Sequence, residues 1–531
     1  MSDVALTRDD GEERAWRSAV VIIVVSWLVR LAFAARLPLF PDETYYWDWS
    51  RHLQGGYFDH PPMIAVLIRA GTALATVFGA EPSPVWVRFF PVLAGAVAML
   101  AAAATARRLA CARAGLVAAL SFAIMPLAAA GLVLATPDAP LLAFEAIALY
   151  AVVRALEATP RSAPSLGWWS LAGVAVGLAF VSKYTSIFFP LSVALAIVLR
   201  PSLRVRLREP GPYVACVLAV LVFAPVLAWN ARHDWISFRF QLEHGLGKPK
   251  GSALNRELEM LGGQLGLVTP ILFALATGSV WQALRRPAAA LPHPRIPASP
   301  HPRGDLYFAL AIVALGNWAF YVYSAIHRRV EANWPAPAYI PALVLLASQV
   351  VDSPSAALSR WLKRGLVFAA VVVAVLYAYV LSPLQPIPAR RDPLARAAGW
   401  DVLAMQVDSV RRTLGARVWV GADRYQEVSE LAYHLPGRPE VVCVCLTGRH
   451  NQYELWPSFT SHAAQGDALV LALDERAEGV VHENVAQLAP HFTRVQRGAL
   501  APLLRGGDTV AVRRLWTLEG YIGGWPTRSE P

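Results

Sequence analysis

The chain has 531 residues, of which 56% are hydrophobic and 16% charged, and a formal net charge of +11. Soluble proteins carry about 25% charged residues, so a soluble globular or disordered protein is excluded. The surplus Lys and Arg fall in short loops between apolar runs, a pattern of membrane topology, and no RNA- or DNA-binding pattern accompanies them.

Crossing a bilayer takes about 20 apolar residues. By that measure eleven spans are expected, near 18–36, 85–105, 114–132, 138–157, 168–182, 184–200, 212–230, 264–284, 306–325, 335–351 and 364–382. The first contains Arg30 and lacks a small-residue cleavage site, so it reads as a retained span and not a signal peptide. The segment 63–79 is apolar but short, with Arg69 at its middle, and reads as an interfacial helix in the outer leaflet. Alternate loops are basic, among them Arg14 and Arg17, Arg107 and Arg108, Arg204 to Arg208, and Lys363 and Arg364. The charge rule puts these, and the N-terminus, in the cytoplasm. The Pro-rich loop 285–305 reads as a disordered cytoplasmic linker.

From about residue 385 the spans stop. Strand-like runs at 416–422, 440–446 and 467–473 alternate with the helix-like stretch 425–435. A small α/β domain of about 140 residues is expected there, on the external side. The organisation is therefore a transmembrane domain at 1–384, with its first external loop at 37–84, followed by an α/β domain at 385–531. Cys443 and Cys445 would lie on one face of a strand, a poor geometry for a disulfide, and read as buried thiols.

The motifs with chemical character all fall in the loops opposite the basic ones. The first, PDETYYWDWSRHLQGGYFDHPP at 41–62, carries Asp42, Glu43, Arg51, Asp59 and His60 among aromatic residues. Pro41 suits a first helical position and the acids suit the helix dipole, so a capped surface helix with an aromatic membrane anchor is the plain alternative. Asp138 in TPDAP opens a span, as a helix-start carboxylate or as a functional one. Lys183 and Tyr184 in SKYT sit between two apolar runs, where the lysine either snorkels or meets a phosphate. Glu331 and Asn333 in HRRVEANWP follow a His-Arg-Arg run, and read as a local cap or as a polar rim that touches sugar. His233, Asp234 and His244 lack the ligand spacing of a closed metal site. External carboxylates, a lone lysine and an aromatic platform on a membrane scaffold suit transfer from a lipid carrier. A carboxylate takes the acceptor proton, and cations stabilise the leaving phosphate.

The stretches PDETYYWDWS with GYFDHPP, TPDAPLL, SKYT, WNARHDWISFRFQLEHG (229–245), VEANWPAPAY (330–339), GADRYQ (421–426) and RHNQYELW (449–456) resemble bacterial members of glycosyltransferase family 39. These are relatives of the lipid A aminoarabinose transferases and the protein O-mannosyltransferases. The resemblance implies a polytopic α-helical GT-C fold in the cell inner membrane. It implies a polyprenyl-phosphate sugar donor, a glycolipid, glycan or protein acceptor, contact with membrane lipids, no required cofactor, no metal and no nucleic acid. By the same resemblance Asp42 is the catalytic carboxylate with Glu43 beside it, and Asp59-His60 stands where the arabinose transferases have Glu-Lys. Lys183 then supplies the fixed charge that His60 lacks, and Asp138 is a supporting carboxylate. A lipid-headgroup flippase would instead show paired repeats, which the sequence lacks; a non-catalytic assembly protein would work through residues 385–531. A reporter active only outside the cytosol, fused after residue 62, is expected to give signal, and after residue 208 none; the reverse pattern would remove the sidedness on which the reading stands.

Overall fold

The computed structural model describes residues 2–246, 251–285, 303–352, 355–382, 387–415, 417–446, 448–474, 482–526 and 528. Most of the expected linker at 285–305 lies outside them. In chain order the helices are α1 (Ser2–Arg36), α2 (Pro41–Arg51), α3 (Met63–Val77), α4 (Pro84–Leu109), α5 (Ala112–Ile124), α6 (Pro126–Gly131), α7 (Asp138–Glu157), α8 (Ala163–Ser182), α9 (Phe188–Leu199), α10 (Gly211–Arg232), α11 (Ile236–Leu246), α12 (Ala253–Val268), α13 (Pro270–Arg285), α14 (Arg303–His327), α15 (Ala336–Asp352), α16 (Ala356–Leu381), α17 (Trp400–Thr413), α18 (Tyr425–His434) and α19 (Glu483–Leu488).

Two compact units result: Met1–Arg36 with Gln54–Ala378, and Leu37–Leu53 with Tyr379–Pro531. The sequence groups 37–53 with the spans; by its contacts this segment clusters with the C-terminal residues.

Among the described residues, seven helices of the first unit are long and apolar enough to cross a membrane, or nine if two bent pairs each count as one span. Of the eleven expected spans, 114–132 and 335–351 are met by shorter helices. The break within 114–132 and the bend before α13 follow proline chemistry. Met125 is extended before Pro126, which ends α5 and starts α6, because the ring of a proline disfavours helix in the residue before it. At Thr269-Pro270 the chain bends by 103° between α12 and α13, with Thr269 at φ 71°. The helix α3 has 15 residues, too few to span.

Lipid tails give apolar side chains no reason to leave them, so helices in a bilayer associate through close van der Waals contact at small residues. The core here is alanine-rich, with Ala102, Ala106, Ala118, Ala146 and Ala347 fully buried. On α8, Gly173 and Gly177 are four residues apart and face α10. A Cβ on Gly173 would lie 2.4 Å from the Ala215 carbonyl oxygen, and one on Gly177 2.6 Å from Val222 Cβ.

The second unit holds a five-stranded sheet. Its strands are β1 (Val418–Ala422), β2 (Val442–Cys443), β3 (Ala468–Leu473), β4 (Phe492–Arg505) and β5 (Asp508–Tyr521), in the order β2-β1-β3-β5-β4. The first three run parallel, and β5 is antiparallel to both β3 and β4. All six residues of β3 are buried, the mark of a strand covered on both faces. The β4–β5 hairpin, which the sequence reading missed, turns on Gly506 and Gly507, both at positive φ, as a tight two-residue hairpin requires.

The expected strand 440–446 shrinks to two residues, and the expectation of free thiols is corrected: Cys443 and Cys445 form a disulfide. In a continuous strand, residues two apart are separated by about 6.6 Å. Here Cys445 takes φ 50°, the strand ends, and the Cα atoms come to 5.2 Å, within the bridging range.

Gly173→Leu and Gly177→Leu are expected to force α8 from α10 at a cost of about 1–3 kcal/mol each, read as a lower melting temperature of the purified chain in detergent. Gly167→Leu, on the same helix with nothing within 4 Å of its Cβ, should melt as the parent does.

Candidate functional site

In the first unit, three of the sequence-selected residues converge. Asp138 opens α7, where a carboxylate is favoured by the helix dipole. Lys183 caps the C-terminal end of α8, in the turn before the 3-10 segment Tyr184–Ile187. Its ammonium donates to Asp138 Oδ1 at 2.7 Å. The Asn333 amide donates to Asp138 Oδ2, also at 2.7 Å, and Lys183 Nζ lies 5.8 Å from the centre of the Trp334 ring. Both members of the ion pair are nearly covered, with side chains 11% and 12% exposed. Beside them is a cavity of about 300 Å³ whose wall includes Asp138, Asn333 and Thr136 but is otherwise mostly apolar, with Met125, Leu142 and Leu267.

The WNARHDWISFRFQLEHG stretch serves as a bracket. Trp229 donates its indole N–H to Gln54 Oε1 at 3.1 Å, and its ring lies so close to Gly56 that a Cβ there would meet it at 2.8 Å. Phe240 packs on Phe58 with ring centres 4.8 Å apart, and the Gln241 amide donates to the Asp59 carbonyl. Residues 54–60 are thus clamped, with Asp59 buried and His60 half-buried. Tyr184 shares a hydrogen bond of 2.9 Å with Ser237. His233 stacks on Trp229 and is hydrogen-bonded to its carbonyl oxygen. Among the described residues no three His, Cys, Asp or Glu side chains gather as metal ligands. Glu331 is more than half exposed, 3.9 Å from Arg329, and does not join the Asp138 group.

Glu145 was missed from sequence. It lies seven residues after Asp138 on α7, on the same face, and is buried at 3% exposure. Lys183 and the Ser186 hydroxyl are its polar neighbours. Its Oε1 has no hydrogen-bond partner among the described residues. A lone acid in mid-span was the available signal.

In the second unit, α2 is held by the C-terminal residues. Asp42, half-buried, accepts a hydrogen bond from the Tyr425 hydroxyl at Oδ1, 3.1 Å. Glu43 is buried and accepts from the Phe40 N–H at 3.0 Å, closing the helix start. Thr44 shares a hydrogen bond with Ser429 at 3.0 Å. The Tyr45 hydroxyl accepts from the Gln452 N–H at 2.6 Å. Asp48 accepts from Tyr453 at 2.8 Å and from Arg51 at 3.1 Å, and Arg51 also donates to the Arg438 carbonyl at 3.0 Å. Burial pushes the Asp48 carboxyl up against the opposing pull of Arg51 and Tyr453. Glu430 on α18 is fully buried, and burial, then Glu43, holds its carboxyl well above the usual range. Burial lowers the neighbouring His434 to about 4.

Comparison with known proteins gives three findings. Residues 59–229 match the family described as dolichyl-phosphate-mannose-protein mannosyltransferase. The chain is 32% identical over 271 residues to the lipid A galacturonosyltransferase RgtD of Rhizobium johnstonii, a match spanning 51% of this chain and 55% of that one, so it covers about half the length of that relative. The crystal structures of ArnT from Cupriavidus metallidurans, apo and bound to undecaprenyl phosphate, superpose with a TM-score of 0.61 at 18% identity, over 94% of this chain and 97% of theirs. The family 39 resemblance seen in the motifs is thereby borne out, and the fold is the expected GT-C architecture.

Removing one member of a buried ion pair leaves a charge without its partner, at a cost of about 3–5 kcal/mol. Lys183→Met and Asp138→Leu are each expected to lower the melting temperature in detergent clearly, and the double variant to regain most of the loss. Additive losses would show that the pair is not coupled.

Proposed function

We propose that this chain is a membrane glycosyltransferase, which moves a sugar from a polyprenyl-phosphate donor to an acceptor at the external face of the inner membrane. The acceptor class the reading favours is an envelope glycolipid of the lipid A type. The observation that carries it is the covered Lys183–Asp138–Asn333 group beside a mostly apolar cavity. An isoprenoid with a phosphate head would need such a neighbourhood, an apolar cavity with Asp138 and Asn333 in its wall and the Lys183 ammonium held on that same Asp138. The shared fold with ArnT, one of whose structures holds undecaprenyl phosphate, and the partial identity to a lipid A galacturonosyltransferase support the same reading.

The reading assigns the following chemistry. Asp42 takes the proton of the acceptor hydroxyl as its oxygen attacks the anomeric carbon. The bond from that carbon to the phosphate oxygen breaks, and the electron pair leaves on the lipid phosphate. The cations that this reading assigns to the charge developing there are the ones the motifs supply, Lys183, His60 and Arg51. The phosphate exchanges with Asp138 for the lysine ammonium, and Asn333 keeps Asp138 in place through the exchange. Glu43, Asp59, Tyr184 and Glu331 are the further motif residues that this reading assigns to sugar and acceptor, although Glu43 closes the start of α2 and Glu331 stays apart from the Asp138 group. The direct displacement inverts the anomeric centre. The C-terminal domain is external in this reading.

In membranes prepared from cells that carry the gene, Asp42→Asn is expected to slow sugar transfer by at least about 100-fold, the contribution of a positioned base. The readout is the mass shift of envelope glycolipids, with a strain lacking the gene as the zero. Transfer at the parent rate would remove Asp42 from this role, and an envelope unchanged by loss of the gene would remove the function.

A further inference from the structure

Two sequence motifs, GADRYQ and RHNQYELW, have no part in the chemistry above, yet each places a tyrosine on the helix that carries the proposed base. Tyr453 donates to Asp48 at 2.8 Å, and Tyr425 donates to Asp42 Oδ1 at 3.1 Å. The two motifs are at least 370 residues from α2 in the chain. The pairing at Asp42 is specific. Among the described residues, the Tyr425 hydroxyl makes the one hydrogen bond to the Asp42 side chain, which leaves Oδ2 for an incoming hydroxyl.

The donor is itself fixed. Tyr425 is the first residue of α18. Its ring packs on Tyr45 of α2 with centres 4.5 Å apart, and the Arg449 guanidinium lies 5.3 Å from its centre on the other motif. Burial, and then the Asp42 charge, pushes the phenol further up from its ordinary value, so it remains a donor throughout the neutral range. Asp42 itself has a short side chain on the first turn of a helix, and without a partner it would rotate freely about its terminal torsion.

We propose that Tyr425 is a positioning residue for the Asp42 carboxylate, which makes the C-terminal domain part of the catalytic apparatus. This rests on the reading of Asp42 as the general base. The tyrosine occupies one carboxylate oxygen and so aims the other at the acceptor, in the way that a second residue orients a catalytic base in hydrolytic triads. Tyr453 and Ser429 hold the rest of α2 against the same domain, so the carboxylate and its donor keep one geometry.

The test measures transfer in the same native membranes with Tyr425→Phe, Tyr425→Ala, Asp42→Asn and the double variant Asp42→Asn/Tyr425→Phe, along with the melting temperature of each purified chain. A small misplacement of a catalytic group can cost about 100-fold, so Tyr425→Phe is expected to be about 10- to 100-fold slower with its melting temperature kept. It should add nothing further in the Asp42→Asn background. A purely structural ring would behave oppositely, with Phe restoring the parent rate and only Ala defective. Tyr425→Phe at the parent rate while Asp42→Asn is slow would overturn the proposal and leave the base standing, as would a full further loss in the double variant. Asp42→Asn at the parent rate would remove the base, and the proposal with it.

Discussion

A lysine ammonium buried among apolar helices is the constraint on which the first unit is built. The Lys183 ammonium donates to one oxygen of Asp138 at 2.7 Å, and the Asn333 amide donates to the other at 2.7 Å. Each group is costly alone. An unpaired charge at membrane depth costs roughly 2.5–3.5 kcal/mol on insertion scales and more by other accounts. The three residues come from the start of α7, the end of α8 and the turn before α15, so their pairing fixes three helix ends with respect to one another. The local irregularities of the chain serve that placement. Lys183 is extended between α8 and a 3-10 turn, and Asn333 and Trp334 lie in a hydrogen-bonded turn that closes on Pro335 and Ala336.

The second unit solves a different problem. The helix α2 is short and carries Tyr45, Tyr46, Trp47 and Trp49, all buried. Eleven residues cannot sustain a helix by propensity, so tertiary contact must hold it. The contacts come from α18 and the 451–455 turn: tyrosine hydroxyls to Asp42 and Asp48, ring packing at Tyr45, and an edge-on contact of Trp47 with Tyr433. The acidic motif that reads as an isolated loop is thus one side of an interface within its unit. The carboxylates sit where an aromatic and hydroxyl-rich surface reaches them, and Glu430, buried beneath, adds a further acid whose carboxyl burial pushes up.

Several features of the candidate site were legible as residue types in loops. Asp42, Asp138, Lys183 and Asn333 could be selected because an ionised or amide side chain between apolar runs has few bland explanations. Glu145 carried a clear signal, a single acid in the middle of a span, and lies outside the loops in which the other chemical residues gather. The Trp229–His233 bracket could be seen as a motif but not as a clamp, since its targets at Gln54, Gly56 and Asp59 lie over 160 residues away. The Cys443–Cys445 disulfide was misread because strand periodicity assumes a straight backbone, and Cys445 leaves it. The β4–β5 hairpin followed from a Gly-Gly turn between strands too polar to stand out.

By itself the sequence determined the membrane class, the placement of most spans, the change of character near residue 385 and the short list of chemical residues. These depend on composition and local hydropathy, which a bilayer reads one segment at a time. Only the tertiary structure decided the partners: Lys183 with Asp138, Tyr425 with Asp42, Gly173 against Ala215, and α2 in the unit of the C-terminal domain. Such pairings depend on which distant surfaces are complementary in shape and hydrogen bonding, and no local pattern carries that information.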